Sequence, residues 1–304
     1  MIYADNAATS PLSPTAFEKM KPLMLEEFGN ASQLYSFSRN PRVLLQEARE
    51  IIAGCIHAVP EEIFFTSGGS ESDNWAVKGL LEKDDYRQMV TSSFEHHAIL
   101  HSCETIERLG FPVSYVSPDH SGHVTVDALA RALTKKTKLV SIMMSNNELG
   151  TIQPIKELCE IAHAHGALFH TDAVQSMGHI PIDVRELGVD MMSASSHKFN
   201  GPKGIGFLYI RKGTRIRPYM DGGAQERGLG AGGEGGGIGG KWSSYDCQSS
   251  APDFFRADHL AHVGCIGNRL PEKWYSAASP REYESFLQRY GRGDAAPPLG
   301  SERD

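Results

Sequence analysis

Residues 193–206 read Ser-Ala-Ser-Ser-His-Lys-Phe-Asn-Gly-Pro-Lys-Gly-Ile-Gly and place Lys198 between a short apolar stretch and a glycine-rich turn. An amine in this position could form a Schiff base with a carbonyl compound. The neighbouring Ser195, Ser196 and His197 could bind a phosphate or a phenolate. A lone lysine in a polar loop is more often a surface residue, so other parts of the chain must decide whether Lys198 has a chemical role.

Short apolar stretches alternate with amphipathic ones from residue 63 onward, and Lys198 follows one of the apolar stretches. Strands are predicted over 63–66, 89–92, 112–116, 138–144, 168–170, 190–194 and 206–211. Helices are predicted between most of them, and two more begin near Pro14 and Pro41. The first of these is expected to bury Phe17, Met20, Met24 and Phe28 and to be strained at Pro22. This alternation is typical of an α/β protein.

Several small or polar residues lie at, or just beyond, the carboxyl ends of predicted strands. They are Gly69, Ser70, His96, Asn147, Asp172 and Lys198. Ligands of open α/β sheets bind outside these strand ends, so the shared position indicates one site. Gly69 and Ser70 open a helix whose free N–H groups suit a phosphate. His96 could equally cap a helix, and Asp172 could cap a turn.

Composition and charge narrow the possible classes of protein. The 304 residues are 40% hydrophobic, and the net charge of −7 argues against nucleic-acid or anionic-membrane partners. The beginning of the chain does not resemble a signal peptide, and no apolar stretch is long enough to cross a bilayer, which predicts a cytoplasmic protein. The five cysteines, an odd number without metal-ligand spacing, indicate reduced thiols.

The character of the chain changes near residue 228. Nine of the thirteen residues over 228–240 are glycine, which neither helices nor strands accommodate well. Residues 241–304 show little amphipathic periodicity. The sequence therefore predicts a large domain over 1–228 and a divergent tail over 229–304 that is poorly ordered or loosely packed.

Eight stretches, in order over residues 1 to 228, resemble the cysteine desulfurases of the class V aminotransferase group. They include Phe-Thr-Ser-Gly-Gly-Ser-Glu-Ser-Asp-Asn at 65–74 and His-Thr-Asp-Ala-Val-Gln-Ser at 170–176. The others are 3–9, 28–32, 95–96, 146–150, 193–206 and 222–228. The resemblance implies a fold-type I pyridoxal phosphate domain with a mostly parallel, seven-stranded sheet flanked by helices.

Roles for individual residues follow from this resemblance. It implies that Lys198 binds pyridoxal 5'-phosphate covalently and moves protons, that Asp172 pairs with the ring nitrogen, and that Gln175 donates to the phenolic oxygen. It implies that His96 stacks on the ring. The implied phosphate ligands are Gly69, Ser70, Ser195 and His197, and Asn147 and Asn30 are placed near the ring and the substrate carboxylate.

The same resemblance implies a reaction and partners. L-cysteine would be converted to L-alanine while its sulfur passes to an enzyme cysteine as a persulfide, and then to an acceptor such as an iron–sulfur scaffold protein. A homodimer is expected, because active sites of this family are completed across a two-fold axis.

The chain also departs from the family pattern. Gly230 and Gly233 stand where the family has an arginine and a threonine, and the family's catalytic cysteine and carboxylate-binding arginine would fall beyond residue 304. Cys247 and Cys265 match no motif, so the usual C-terminal small domain is predicted to be absent. Two alternatives stay open: a selenocysteine lyase or another carbon–sulfur lyase of the group, and an inactive truncated cofactor-binding or interaction protein.

Overall fold

The computed structural model describes residues 2–82 and 85–220 and contains one seven-stranded sheet in this range. The strands are β1 (Ile63–Thr66), β2 (Gln88–Ser92), β3 (Val113–Val116), β4 (Thr137–Ser141), β5 (Leu168–Asp172), β6 (Met191–Ser195) and β7 (Gly206–Ile210). Their order across the sheet is β1-β7-β6-β5-β4-β2-β3. All seven predicted strands are present, although β4 ends at Ser141 rather than at Met144.

The sheet is parallel except for one strand. The pairs β2–β3, β2–β4, β4–β5 and β5–β6 are parallel, whereas β7 runs antiparallel to both of its neighbours, β1 and β6. The prediction of a mostly parallel sheet is confirmed. As a result, the carboxyl ends of six strands lie along the same edge of the sheet, where α/β proteins bind ligands.

Seven α-helices accompany the sheet in the described residues. They are α1 (Pro14–Leu25), α2 (Arg39–Cys55), α3 (Gly69–Lys78), α4 (His97–Arg108), α5 (Val126–Ala132), α6 (Ile155–Ala164) and α7 (Val184–Leu187). Helix α7 is not predicted from the sequence, because four residues are too few to show a helical period. The Asp183 side chain caps α7 by accepting hydrogen bonds from the N–H groups of Arg185 and Glu186.

The predicted buried face of α1 is only partly right. Ser13 caps the helix, and Met20 is buried as expected, but Met24 is 39%, Phe17 46% and Phe28 66% exposed. Ala16 and Met20 instead form a small core cluster with Ile205. The helix is therefore rotated relative to the prediction, because a periodic pattern does not determine which side of a helix finds a partner. Pro22 lies within α1, which continues to Leu25.

Adjacent residues of the central strands belong to two hydrophobic clusters. Val90, Val140 and Met192 belong to the larger cluster, together with residues of α2, α5 and α6. Their neighbours Met89, Leu139 and Met191 belong to the second cluster, together with residues of α3 and α4. Successive side chains of a strand point to opposite faces, so helices cover both faces of the sheet and the ligand-binding edge remains accessible.

The tail predicted over 229–304 lies outside the described residues, as do Cys247, Cys265, Gly230 and Gly233. Within the part of the chain that the structure describes, we find no helix with the length and apolar character needed to cross a membrane.

Candidate functional site

A cavity of about 280 Å³ lies at the carboxyl ends of β5 and β6. It brings together nine of the ten residues that the sequence analysis assigns to the site. These nine are Gly69, Ser70, His96, Asn147, Asp172, Gln175, Ser195, His197 and Lys198. The residues come from separate parts of the chain and converge because their strands end at the same edge of the sheet.

Lys198 reaches this cavity from a single 3-10 turn, Ser196–Lys198, that directly follows β6. Its Nζ donates to the carbonyl oxygen of Ala8 at 3.0 Å and also to that of Ala7. Burial lowers the pKa of Lys198, although the charges of Asp172 and Asp5 oppose this effect. A lowered pKa increases the fraction of neutral amine, which is the form that attacks a carbonyl carbon.

Asp172, the last residue of β5, is 4% exposed and lines the cavity. One of its carboxylate oxygens, Oδ1, accepts a hydrogen bond from the N–H of Val174 at 2.8 Å. Burial raises the pKa of Asp172, whereas the Val174 hydrogen bond and the nearby His96 and Lys198 lower it. This carboxyl group is therefore suited to pair with a protonated ring nitrogen, which would favour its charged form.

The first turn of α3 provides a cradle for an anion. Helix N-termini present N–H groups without intrahelical partners, and here the hydroxyls of Ser70 and Ser195 and the ring of His197 line the same cavity. A Cβ atom on Gly69 would lie 2.6 Å from Cγ2 of Val174, so a larger residue would crowd the cradle. Gly68 has a φ of 148°, which disfavours other residues.

His96 caps a helix, which is one of the two roles that the sequence left open, and it also lies at the cavity. Its Nδ1 accepts a hydrogen bond from the N–H of Ala98 at 3.2 Å and so caps α4. The same residue lines the cavity. The cap fixes the position of the ring beside the cavity.

The N-terminal segment lies over one side of the cavity. Gln175 Nε2 donates to the Ala7 carbonyl oxygen at 2.9 Å, and His197 Nδ1 lies 3.0 Å from Thr9 Oγ1. With the bonds from Lys198, these contacts hold residues 7–9 against the site.

Asn30 is the one assigned residue that does not line this cavity. Its side-chain oxygen accepts a hydrogen bond from the N–H of Ser32 at 2.9 Å, as in a capped turn. On residue type alone, an asparagine in a turn has this local role more often than a ligand-binding one. Substrate binding by Asn30 stays a prediction.

Four lining residues have no role in the sequence analysis: Ala8, Asp73, Met143 and Val174. Asp73 is the most informative of them, because it is 1% exposed on the buried face of α3, beside Ser72 and Ala76. An aspartate on the apolar side of a helix is a signal in the sequence, since an unpaired carboxylate is seldom buried. That signal could have identified Asp73 as a candidate site residue.

Glu95 precedes His96 and is a second buried acid near the cavity. Its Oε1 accepts hydrogen bonds from Ser92 Oγ and, at 2.9 Å, from the N–H of Met143. Burial is the largest effect and raises the pKa of Glu95 to about 8. Glu95 is therefore protonated in the folded protein at neutral pH. In the unfolded chain its pKa is near the ordinary value, so it is ionised at the same pH.

We expect the substitution Glu95→Gln to raise the free energy of unfolding increasingly as the pH rises. The folded-state pKa lies above the unfolded-state pKa, so the wild type loses stability between about pH 4.5 and pH 8. Glutamine carries no proton to lose, so the variant should gain up to about 1.4 kcal/mol per pH unit relative to the wild type in that window. Urea unfolding of both proteins at pH 5, 6, 7 and 8 would measure this difference in the free energy of unfolding. A difference that does not change with pH would show that Glu95 ionises normally.

Comparison with known proteins identifies the family to which the sequence is similar. The family model described as "Aminotransferase class-V" matches residues 2–230. A cysteine desulfurase IscS of Dictyoglomus turgidum is 52% identical over 235 residues, which are 77% of this chain and 60% of the relative. The chain spans 56% to 60% of the length of the three curated relatives compared.

Solved structures show the same fold. A structure named "NIFS-LIKE PROTEIN" superposes with a TM-score of 0.80 at 37% identity, covering 83% of this chain and 70% of that one. A second, "SspA in complex with cysteine", superposes with a TM-score of 0.77 at 38% identity, covering 81% and 73%. The predicted fold class is therefore confirmed for the described residues: a fold-type I α/β domain.

Proposed function

The chain belongs to the aminotransferase class-V family, and from this premise we propose that it is part of, or acts as, a cysteine desulfurase that converts L-cysteine to L-alanine. The observation that carries the proposal is that Lys198 and Asp172 line one cavity at the ends of neighbouring strands. The names of the relatives favour this reaction over the selenocysteine lyase considered from the sequence.

The family depends on pyridoxal phosphate, and the residues present fit that cofactor. The cavity is lined by an amine, a carboxyl group and an anion cradle. Because Gly69 has no Cβ atom, it avoids a clash with Val174 and leaves space in the cavity. We propose that Ser70, Ser195 and His197 hold the phosphate and that Gln175 releases the Ala7 carbonyl to donate to the phenolic oxygen.

The bound cofactor would supply an electron sink for bonds around the substrate's α-carbon. In the proposed mechanism, the carboxylate of Asp172 would pair with the ring nitrogen of the cofactor and favour its protonated form, and His96, held by its helix cap, would contact the ring. The amine of Lys198, whose pKa is lowered by burial, then takes and returns protons at the substrate. Asn147, and by resemblance Asn30, would bind the substrate carboxylate.

The sulfur-transfer step requires a thiolate that attacks the substrate sulfur. The carbon–sulfur bond then breaks, a sulfur–sulfur bond forms, and the substrate carbon takes up a proton to give alanine. Among the described cysteines, burial raises the pKa of Cys103 and Cys159 to about 12 and none lines the cavity. We therefore propose that the nucleophile comes from outside the described residues.

The remaining parts of the proposal concern assembly and location. We propose a homodimer in the cytoplasm that passes persulfide sulfur to an acceptor, such as an iron–sulfur scaffold protein. The net charge of −7 supports a protein that does not bind nucleic acid or anionic membranes.

One assay tests the proposed reaction. The purified full chain, loaded with pyridoxal phosphate, should release alanine from L-cysteine and, with a thiol reductant, an equal amount of sulfide. Parallel reactions of Cys247→Ala and Cys265→Ala identify any persulfide residue, and Cys55→Ala, at a described cysteine outside the cavity, is the control. Cofactor binding without alanine would contradict desulfurase activity of this chain, and selenide released only from selenocysteine would favour the lyase.

A further inference from the structure

A second carboxyl group lies beside the one assigned to the ring nitrogen. Asp73, on α3, is 1% exposed, and its Oδ1 has no hydrogen-bond partner in the described part of the chain. Carboxylate oxygens of Asp73 and Asp172 and a ring nitrogen of His96 all lie within 4.8 Å of one another. An unpartnered polar atom buried at this depth requires an explanation.

Among the described residues, no lysine or arginine is among the groups that act on the charge of Asp73. The nearest basic group, His170 Nε2, is 3.9 Å from Oδ1. The two ring nitrogens of His170 face the hydroxyls of Ser141 and Ser193, each at 2.9 Å. Burial lowers the pKa of His170 to about 3, so its ring is neutral. The hydroxyl of Ser193 favours an ionised Asp73, whereas burial and the charge of Asp172 disfavour it more strongly.

Asp172 has the opposite surroundings. It accepts the Val174 N–H bond, and both Lys198 and His96 stabilise its negative charge. Two carboxyl groups this close in a buried site cannot readily both ionise, so the pair carries one charge. The distribution of partners decides which of the two carries it.

We propose that Asp73 is a positioning residue that keeps a proton and thereby leaves the single negative charge of the pair on Asp172, facing the cofactor. This inference rests on the proposed cofactor site. Burial and the charge of Asp172 both raise the pKa of Asp73 well above its ordinary value, in agreement with the geometry. A neutral acid at position 73 does not compete with Asp172 for the positive ring nitrogen.

The test compares amide substitutions at the two neighbouring acids. If Asp73 is neutral, Asp73→Asn should bind pyridoxal phosphate within about threefold of the wild type, since a neutral donor replaces a neutral donor. Asp73→Ala should bind roughly tenfold more weakly, and the asparagine variant would thus rescue this loss. Asp172→Asn removes the charge and should weaken binding by about 10- to 100-fold, with a changed absorbance spectrum.

The dissociation constant and visible spectrum of the full chain, titrated with the cofactor from pH 5 to 8, give these values. If Asp73→Asn weakens binding as much as Asp172→Asn does, Asp73 carries charge and the proposal fails. If the wild type takes up no cofactor, the proposed function fails instead, so the two failures are distinguishable.

Infrared spectroscopy of the cofactor-free chain provides an independent measurement. At pH 7 the wild type should show the C=O stretching absorption of protonated carboxyl groups, part of which Asp73→Asn removes. Glu95→Gln should remove a different part of the same absorption. The part that each variant loses is therefore assigned to the carboxyl group that the variant replaces. A spectrum in which Asp73→Asn removes nothing would overturn the proposal whatever the binding results.

Discussion

The substitution Lys198→Ala is expected to abolish covalent attachment of pyridoxal phosphate and to reduce alanine formation by roughly 10²- to 10⁴-fold or more, because it removes both the attaching amine and the proton carrier. The side chain is the only amine lining the cavity of the described residues. Its loss also breaks the hydrogen bonds to the carbonyl oxygens of Ala7 and Ala8. The visible absorbance band of the lysine-bound cofactor measures attachment directly.

Two further variants distinguish the loss of the reactive amine from the loss of its hydrogen bonds. Lys198→Arg keeps a positive charge that can still bond the Ala7 and Ala8 carbonyls, but it cannot attach the cofactor, so it should fail in the same way. Lys135→Ala, at an exposed lysine that precedes β4, is the control and should bind the cofactor as the wild type does. An absorbance band that persists in Lys198→Ala would show that another amine holds the cofactor.

The site could be predicted from the sequence to the extent that it depends on strand ends. Lys198, Asp172 and His96 each follow a short apolar stretch that was recognisable as a strand, and parallel strands bring such residues together without any knowledge of distance. Asp172 and Ser193 are also paired in register between β5 and β6. Order along the chain and strand direction were enough to predict which residues would meet.

Contacts that depend on long-range packing could not be predicted in this way. Ala7 and Ala8 have no polar side chains, yet their carbonyl oxygens bond Lys198 and Gln175 across more than 160 residues. Backbone carbonyl groups are the same at every position, so the type of residue does not indicate that its carbonyl group makes such a contact. The exposed Phe17 on α1 illustrates the same limit, because the partner of a helix face is a property of the fold.

The role of Asp73 could be predicted from the sequence only in part. Its type and its position on the buried side of α3 were visible in the sequence, but its meaning depends on the distance to Asp172 and on the neutrality of His170. A helix residue and a strand residue 99 positions apart become one titrating unit only because α3 packs across the end of β5. The pair therefore illustrates why charge states in a site cannot be assigned residue by residue.

Gly206→Ala is expected to lower the free energy of unfolding by about 3 kcal/mol and to weaken cofactor binding at the same time. Gly206 begins β7, and a Cβ atom there would lie 2.4 Å from the Ala194 carbonyl oxygen and 2.7 Å from the Cα of Gly68. Both are backbone atoms, which cannot rotate away as the end of a flexible side chain can. Relief therefore requires β6 or the turn before α3 to move, and that turn leads directly into the anion cradle.

The matched control is Gly54→Ala in α2, where a Cβ atom would meet nothing within 4 Å. Alanine favours a helix more than glycine does, so this variant should be as stable as the wild type or more stable by up to about 1 kcal/mol. Urea unfolding of the three proteins and their dissociation constants for pyridoxal phosphate would test both parts. Because the clash reaches Gly68 and not Lys198, Gly206→Ala should weaken cofactor binding while the cofactor that does bind still attaches to the lysine. A stable variant with normal affinity would mean that β7 and the turn before α3 can separate without cost, which would contradict the close packing that supports the cradle.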